Sequence, residues 1–372
     1  MYRILISGYY GFNNIGDESI LMAVVSSLRE KLDDIEITVL SQNPESTAAK
    51  YGVKSENRKS VTAVLRALKN CDLLISGGGS LLQDVTSRKS ILYYLFIMRA
   101  AKFMGKKFFI YSQGIGPIVS KFNSRMTAQV LKKASGIVVR DMSSKELLVK
   151  IGVPESSVVV TADPVLRIKK TGLEAGARIL EEEGFNNSDG APVCGFAVKE
   201  RNLDSGFMHE ICAAADRLIK ERNCRIVLIP FHFSEDMPAI EMMERYLAER
   251  GAADRVCAVK HKYLTEEMLS LIGNMDTLVG VRLHALIHAA IMDVPMIGIS
   301  YDPKINSFLH SVGMKAMCSI YDFKSEFFME EYDKTQRERE NLKAMVRANV
   351  DVLIKKIDTN EEMIKAIIEQ GK

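Results

Sequence analysis

The chain has 372 residues, 47% hydrophobic and 26% charged, a length and balance that suit two folded α/β-sized domains rather than one domain or a disordered chain. With 50 basic against 47 acidic residues the net charge is only +3, which excludes the broadly basic face of a bulk nucleic-acid binder but leaves room for a local cationic pocket. The six cysteines, at 71, 194, 212, 224, 257 and 318, form no C-x-x-C pair, so they read as reduced core residues of a cytoplasmic protein rather than a disulfide or metal framework.

The chain begins MYRILISGYYGF, a strand and turn without the features of a signal peptide. Its longest apolar stretch, residues 91–98, falls far short of the ~20 residues needed to span a bilayer. In the first half, strands are predicted at 3–7, 36–40, 72–76, 107–112, 136–139 and 158–161, and helices at 19–32, 62–69, 91–104 and 124–133. Strand and helix alternating at this spacing imply a parallel sheet covered on both faces. The rhythm breaks over 169–190, a linker with one charged helical piece, then resumes with strands at 193–198, 225–230, 255–259, 277–281 and 296–299. From 324 to the end the chain is charged and helical. The expected fold class is α/β: two doubly wound Rossmann-like domains, 1–168 and 191–323, facing a cleft, followed by C-terminal helices over 324–372.

Ligands of such domains bind at the carboxyl ends of the strands. The first such loop is GYYGFNNIGDES, where Asn14 and Asp17 are either hydrogen-bonding partners for sugar hydroxyls or turn and cap residues. Its spacing is not that of a dinucleotide fingerprint. The next, SGGGSLLQD, puts Gly78 and Gly79 at a strand-to-helix turn whose bare N–H groups suit an anion or hydroxyl, followed by Gln83. Gln113 stands at the tip of the fourth strand, and Arg140 at the tip of the fifth, where it either reaches a ligand or pairs with Asp141.

In the second half the loops turn cationic. Lys199 and Arg201, then Arg282 with His284, then Lys304 follow three separate strands. His284 and His288 have the i, i+4 spacing of a metal pair, but the glutamate of H-E-x-x-H and a third ligand are missing, so no metal is expected and His288 reads as a core residue. His284, near a helix start and beside Arg282, is poised as a proton donor, since a bound multianion favours its protonated form. His232 is a second strand-tip histidine and a weaker candidate.

Together SGYYGFNNIGDE, SGGGSLLQD, YSQGIGP, VVRD, the strand-end Asp163-Pro164, GVRLHA and SYDPK resemble the polysaccharide pyruvyl transferase family, in particular the CsaB type that modifies bacterial secondary cell-wall polymers. The resemblance runs from about residue 3 to residue 310. It implies a glycosyltransferase-B-like fold with the acceptor held by the first domain and the donor by the second. It further implies phosphoenolpyruvate as donor, and as acceptor a lipid-linked disaccharide whose N-acetylmannosamine becomes a 4,6-ketal, the mark used to anchor surface-layer proteins. The family's R-L-H signature falls on Arg282, Leu283 and His284, its donor-loop arginine on Arg201 and its lysine on Lys304. On this reading His284 and Arg282 are catalytic, and Arg201, Arg282 and Lys304 bind phosphoenolpyruvate. Asn14, Asp17, Gly78, Gly79, Gln83, Gln113 and Arg140 face the acceptor, and neither metal nor cofactor is required.

A lipid-linked acceptor implies contact with the inner leaflet of the membrane, for which the stretch RKSILYYLFIMRAAKFMGKK is the candidate; a buried helix flanked by solvated charges is the plainer reading. Two rival functions use the same features: a nucleotide-sugar glycosyltransferase on the same fold, and a non-catalytic glycan- or anion-binding protein.

Overall fold

Short, almost wholly apolar runs such as ILIS, LLIS and FFIYS have no polar alternation, because each strand is buried on both faces. The computed structural model describes residues 1–85, 89–200 and 202–370. The chain divides into two units, Met1–Ile168 with Val352–Lys372, and Lys169–Asp351.

The first unit is built on strands β1 (Tyr2–Tyr10), β2 (Ile35–Ser41), β3 (Lys54–Asn57), β4 (Leu73–Ser76), β5 (Gly79–Leu82), β6 (Lys107–Ile115), β7 (Gly136–Val139) and β8 (Val158–Val160). All pair in parallel in the order β3-β2-β1-β4-β6-β7-β8, with β5 set against the end of β6. Helices α1 (Ile15–Lys31), α2 (Pro44–Tyr51), α3 (Val61–Asn70), α4 (Ser90–Phe103), α5 (Lys121–Leu131) and α6 (Met142–Lys150) connect them. The order reverses direction at β1/β4, the point where a doubly wound sheet opens a crevice. One hydrophobic core joins Leu5, Leu74 and Ile110 of the sheet to Leu68 of α3, Leu95 of α4 and Leu131 of α5, so these three helices cover the same face.

The second unit repeats the plan with α7 (Glu174–Glu182), β9 (Val193–Ala197), α8 (Gly206–Arg222), β10 (Arg225–Leu228), α9 (Phe233–Glu249), β11 (Val256–Ala258), α10 (Thr265–Gly273), β12 (Thr277–Gly280), α11 (Leu283–Ile291), β13 (Met296–Ser300), α12 (Pro303–Ser311) and β14 (Cys318–Ser319). Its parallel order is β11-β10-β9-β12-β13-β14, the Rossmann order. The polar stretch 169–190 is part of this unit. Ser270 of α10 accepts the N–H of Gly176 in α7 at 2.8 Å and donates to the carbonyl of Gly172 at 2.6 Å.

The C-terminal helices α13 (Ser325–Arg337), α14 (Arg339–Ile357) and α15 (Thr359–Glu369) do not form a separate piece. Phe328 and Tyr332 of α13 complete the core of the second unit. α15 returns to the first unit, where Glu361 accepts hydrogen bonds from Ser27 at 2.7 Å and from Tyr111, and Asn360 donates to Ser112 at 2.8 Å. All six cysteines are free thiols. Among the described residues no helix is long and apolar enough to cross a membrane.

Candidate functional site

At the carboxyl edge of the second sheet the strands end level with one another, Ala197 beside Gly280, Gly280 beside Gly298, and Phe196 beside Leu228. The residues that follow, Lys199, His232, Arg282 and Tyr301, therefore leave the sheet along one edge. Arg282 is the N-cap residue of α11, with extended backbone. Its guanidinium is paired with Asp236 in the first turn of α9, with Nε 3.1 Å from each carboxylate oxygen. Burial opposes its charge, but Asp236 outweighs burial and raises its pKa. Asp236 is fully buried and also accepts the N–H groups of Phe231 at 3.0 Å and His232 at 2.8 Å.

Glu235 links two cations, 3.4 Å from Arg282 and 3.3 Å from Lys199. Burial works against this carboxylate, yet Lys199, His232 and Arg282 together hold its pKa down at about 2. The Tyr301 ring links Lys199 to a third: the ammonium groups of Lys199 and Lys304 lie 5.5 and 5.6 Å from its centroid. Lys304 also reaches Asp302, the N-cap of α12, at 3.3 Å. Burial, first, and the nearby Arg282 and Lys199 lower the pKa of His232 against the opposing pull of Glu235 and Asp236.

Of the donor-side residues read from the sequence, Arg282 and Lys304 thus join one cluster through Lys199, Tyr301 and Glu235. Arg201 lies outside the described residues. His284 sits in the first turn of α11, two residues beyond Arg282 and partly buried. His288, one turn on, is fully buried with its ring edge-on to Phe231 at 5.3 Å, and burial followed by the charge of His284 lowers its pKa to about 3. Among the described residues no group of three His, Cys, Asp or Glu side chains could hold a metal ion. The structure gives Arg282, Lys199 and Lys304 the carboxylates of Asp236, Glu235 and Asp302. The Arg282–Asp236 pair joins positions 46 apart in the chain, and Glu235 and Asp236 lie in the first turn of α9, where acidic residues suit the helix dipole in any case.

In the first unit, Asn14 caps α1, accepting the Gly16 N–H at 3.1 Å and donating to Asp17 at 2.6 Å. Glu18 fastens the preceding loop, accepting the Gly11 N–H at 2.8 Å and the Tyr51 hydroxyl at 2.6 Å. Arg58 fastens it from the other side: its guanidinium donates to the Gly8 carbonyl at 3.0 Å and is surrounded by the rings of Tyr9, Phe12, Tyr93 and Tyr94 at 4.8–5.6 Å.

The glycine turn packs against this frame. Gly79 has φ +85°, and a Cβ there would stand 3.0 Å from the Asp17 carboxylate. A Cβ on Gly77 would stand 2.1 Å from the Tyr10 hydroxyl. The Tyr10 hydroxyl, the paired Ser7 and Ser76 hydroxyls and both polar atoms of the Gln113 amide are buried without a hydrogen-bond partner. Gln113 is in register with Gly79. Such atoms cost free energy unless a ligand or water meets them. Sequence reading finds Gln113 and the glycines but misses Tyr10, Ser7 and Ser76, which look like ordinary strand residues.

Gln83 and Arg140 have other work. The Gln83 side-chain oxygen accepts the Val85 N–H at 3.0 Å, closing its own turn. Arg140 is buried, donating to Asp163 at 2.9 Å and Ser80 at 3.1 Å, with Asp141 at 3.5 Å. In the structure the Gln83 oxygen and the Arg140 guanidinium are thus held by neighbouring parts of the first unit.

Comparison with known proteins bears on the fold and on the family. In fold, the chain is similar to HepE of Anabaena, solved with UDP and glucose, with TM-score 0.65 and 10% identity over the whole of both chains. It is likewise similar to the UDP-GlcNAc 2-epimerase of Neisseria meningitidis, with TM-score 0.63 and 14% identity over 99% of this chain and 100% of that one. At such identity these likenesses establish the two Rossmann-like domains of a glycosyltransferase-B-like fold and nothing about ligands. In sequence, it is 20% identical to the amylovoran biosynthesis protein AmsJ of Erwinia amylovora over 85% of this chain and 88% of that protein. The sequence profile described as polysaccharide pyruvyl transferase matches residues 14–303, from the cap of α1 through Arg282 and His284 to the start of α12, and the chain belongs to that family of enzymes.

Proposed function

We propose that the protein transfers pyruvate from phosphoenolpyruvate to two hydroxyls of a sugar, forming a 4,6-ketal on the N-acetylmannosamine of a lipid-linked cell-wall precursor. The reading is carried by one observation beyond family membership: Lys199, Arg282 and Lys304 come from three strand ends and are linked into one cluster, Arg282 to Lys199 through Glu235 and Lys199 to Lys304 through Tyr301. A small multianion needs several such cations within a few ångströms. The second unit is the donor side and the first the acceptor side. The unpartnered hydroxyls and amide around Gly77, Gly79, Tyr10 and Gln113 supply the kind of polar surface that sugar hydroxyls occupy.

The chemistry follows from the donor. Protonation of the CH₂ carbon by His284 turns C2 into an electrophile and the CH₂ into CH₃. One sugar hydroxyl adds to C2, phosphate departs, and the second hydroxyl closes the ring. Of the two hydroxyl protons, one replaces the proton given by His284 and the other leaves with phosphate. Arg282, Lys199 and Lys304 offset the charge on the departing phosphate. The product marks a surface polymer for surface-layer anchoring, and the enzyme works at the inner face of the membrane.

The decisive test is mass spectrometry of a candidate lipid-linked disaccharide incubated with enzyme and phosphoenolpyruvate. The expected outcome is a pyruvate adduct with equimolar phosphate. Absence of the adduct together with thermal protection by a UDP-sugar but not by phosphoenolpyruvate would overturn the reading in favour of glycosyl transfer.

A further inference from the structure

Charge is distributed unevenly along the first unit. Residues 85–140 contain 11 of the 50 basic residues and none of the 47 acidic ones. In the fold most of this stretch becomes α4, β6 and α5, and the two helices lie side by side on one face of the sheet, joined through a common core. α4 turns Ile91, Tyr94, Leu95 and Met98 into that core, at the i, i+3, i+4, i+7 spacing of a buried helix side. Its opposite side carries Phe96, Arg99 and Phe103, and its last turn adds Lys102, all exposed. Phe96 is 50% and Phe103 93% exposed, and on the neighbouring α5 Phe122 is 64% exposed beside Lys121 and Arg125.

A phenylalanine left almost wholly in water is costly, at about 25 cal/mol per Å² of apolar surface. Three exposed phenylalanines among cations form the amphipathic face of helices that lie in a lipid interface, rings in the acyl boundary and basic groups on the headgroups. Elsewhere on this protein surface cations are commonly matched by carboxylates. Among the described residues Arg99, Lys102, Lys121, Arg125, Lys132 and Lys133 have no ion-pair partner, although all are exposed.

We infer that the outer face of α4 and α5 is a docking surface for an anionic lipid bilayer. Charge complementarity selects this occupant: the face is cationic throughout, whereas the chain as a whole is nearly neutral. The aromatic residues select a bilayer over a nucleic acid. They lie on two adjacent helices that share one core, the arrangement of an interfacial face rather than of stacking rings along a strand-binding channel. Exposed residues on α4 and on α5 both contribute, so the surface is wider than the single apolar-basic stretch visible in the sequence. Lipid docking stands independently of the transfer reaction, although a lipid-linked acceptor gives it a purpose.

The test is sedimentation of the full chain with vesicles made of equal parts phosphatidylglycerol and phosphatidylcholine, against vesicles of phosphatidylcholine alone. Wild type is expected to pellet with the anionic vesicles only, and to be released by raised salt, which shortens the screening length from about 10 Å at 0.1 M to about 3 Å at 1 M. Arg99→Gln, Lys102→Gln and Arg125→Gln together should lower partitioning by about 100-fold, at about 5-fold for each cation removed. Phe96→Ser, Phe103→Ser and Phe122→Ser together should lower it comparably at low salt. All six side chains are exposed, so both variants should melt like wild type and retain pyruvyl transfer to a water-soluble acceptor. Failure of the anionic vesicles to bind, binding unaffected by both triple variants, or binding of single-stranded RNA in place of vesicles would overturn the inference. Any of these leaves the donor chemistry untouched; conversely, vesicle binding by a protein that forms no ketal sinks the proposed function alone.

Discussion

Arg282 and Asp236, 46 residues apart in sequence, are locked together with the arginine Nε 3.1 Å from both carboxylate oxygens. The carboxylate is wholly buried, so the pair fixes the guanidinium at the end of β12 while leaving one side of it toward Glu235. Arg282→Ala removes the partner of a buried charge and is expected to destabilise the protein by about 3–5 kcal/mol. Arg282→Lys keeps a charge but not the forked geometry, so it should recover part of that stability while the donor Michaelis constant remains high. Chemical denaturation alongside donor titration checks both; equal stability of Arg282→Ala and wild type would show that the pair is not structural.

Glu235 stands between Lys199 and Arg282. If these cations hold the donor as proposed, the carboxylate competes with it for them. Glu235→Gln is expected to tighten phosphoenolpyruvate binding by about 5-fold, in keeping with the roughly 1 kcal/mol of a partly exposed pair. Because its neighbours hold the carboxyl at about 2, mild acid does not protonate it, and the substitution is the way to see the effect. Isothermal titration of wild type and variant decides, and weaker binding in Glu235→Gln would instead make the carboxylate a support for the cations.

His284 is in the first turn of α11, behind the Arg282 cap. If it gives the proton to the donor CH₂ carbon, His284→Ala lowers kcat by about 10²–10⁴-fold, the usual worth of a general acid. Phosphoenolpyruvate should still protect the variant from thermal unfolding, since Lys199, Arg282 and Lys304 remain. Phosphate release measured with acceptor present reads the rate, and wild-type turnover in His284→Ala removes it from the mechanism.

Much of this was legible in the chain because parallel strands buried on both faces appear as short apolar runs, and the turns after them carry the chemistry. Strands 73–76, 277–280 and 296–300 announce themselves in this way, and Gly79, Arg282 and Lys304 are read from the turns that follow them. The less apolar edge strand Lys54–Asn57 and the two-residue Cys318–Ser319 do not, since edge strands have one neighbour and need less hydrophobic cover. Pairings distant in sequence are equally silent. Nothing local couples Arg282 to Asp236 or Arg140 to Asp163, and nothing marks Tyr10 as the ring that lies across Gly77. The C-terminal helices show the same limit: their periodicity gives helices, but contacts such as those of Glu361 with Ser27 and Tyr111 and of Asn360 with Ser112 tell where α15 docks.

The Tyr10 hydroxyl is buried, has no hydrogen-bond partner, and sits where a side chain on Gly77 would touch it. Burial, then the charge of Asp17, raises its pKa well above the usual phenol value, so it stays protonated and can donate a hydrogen bond. Tyr10→Phe removes an unmet polar atom and is expected to leave stability unchanged or raised by about 1 kcal/mol. If the hydroxyl meets the acceptor, the same change raises the acceptor Michaelis constant several-fold and leaves that of phosphoenolpyruvate alone. Steady-state kinetics with each substrate varied in turn separates the two, and Gln113→Leu should behave alike.

His288 gives the clearest pH signature. Its ring is enclosed beside Phe231, and burial, followed by the nearby His284, lowers its pKa from 6.5 to about 3. The folded chain thus keeps it neutral where the unfolded chain would protonate it. Between about 6.5 and about 3 the unfolded state binds the extra proton, so stability is full above that window and falls as the pH drops through it. The limiting slope from this one group is about 1.4 kcal/mol per pH unit. His288→Gln removes the titration while keeping polar atoms in the pocket. The variant is expected to be less stable than wild type at about pH 7 but to lose less on going to about pH 5, as read from urea midpoints at the two pH values. Parallel losses in the two proteins would mean that His288 is protonated without penalty and that its burial does not govern acid stability.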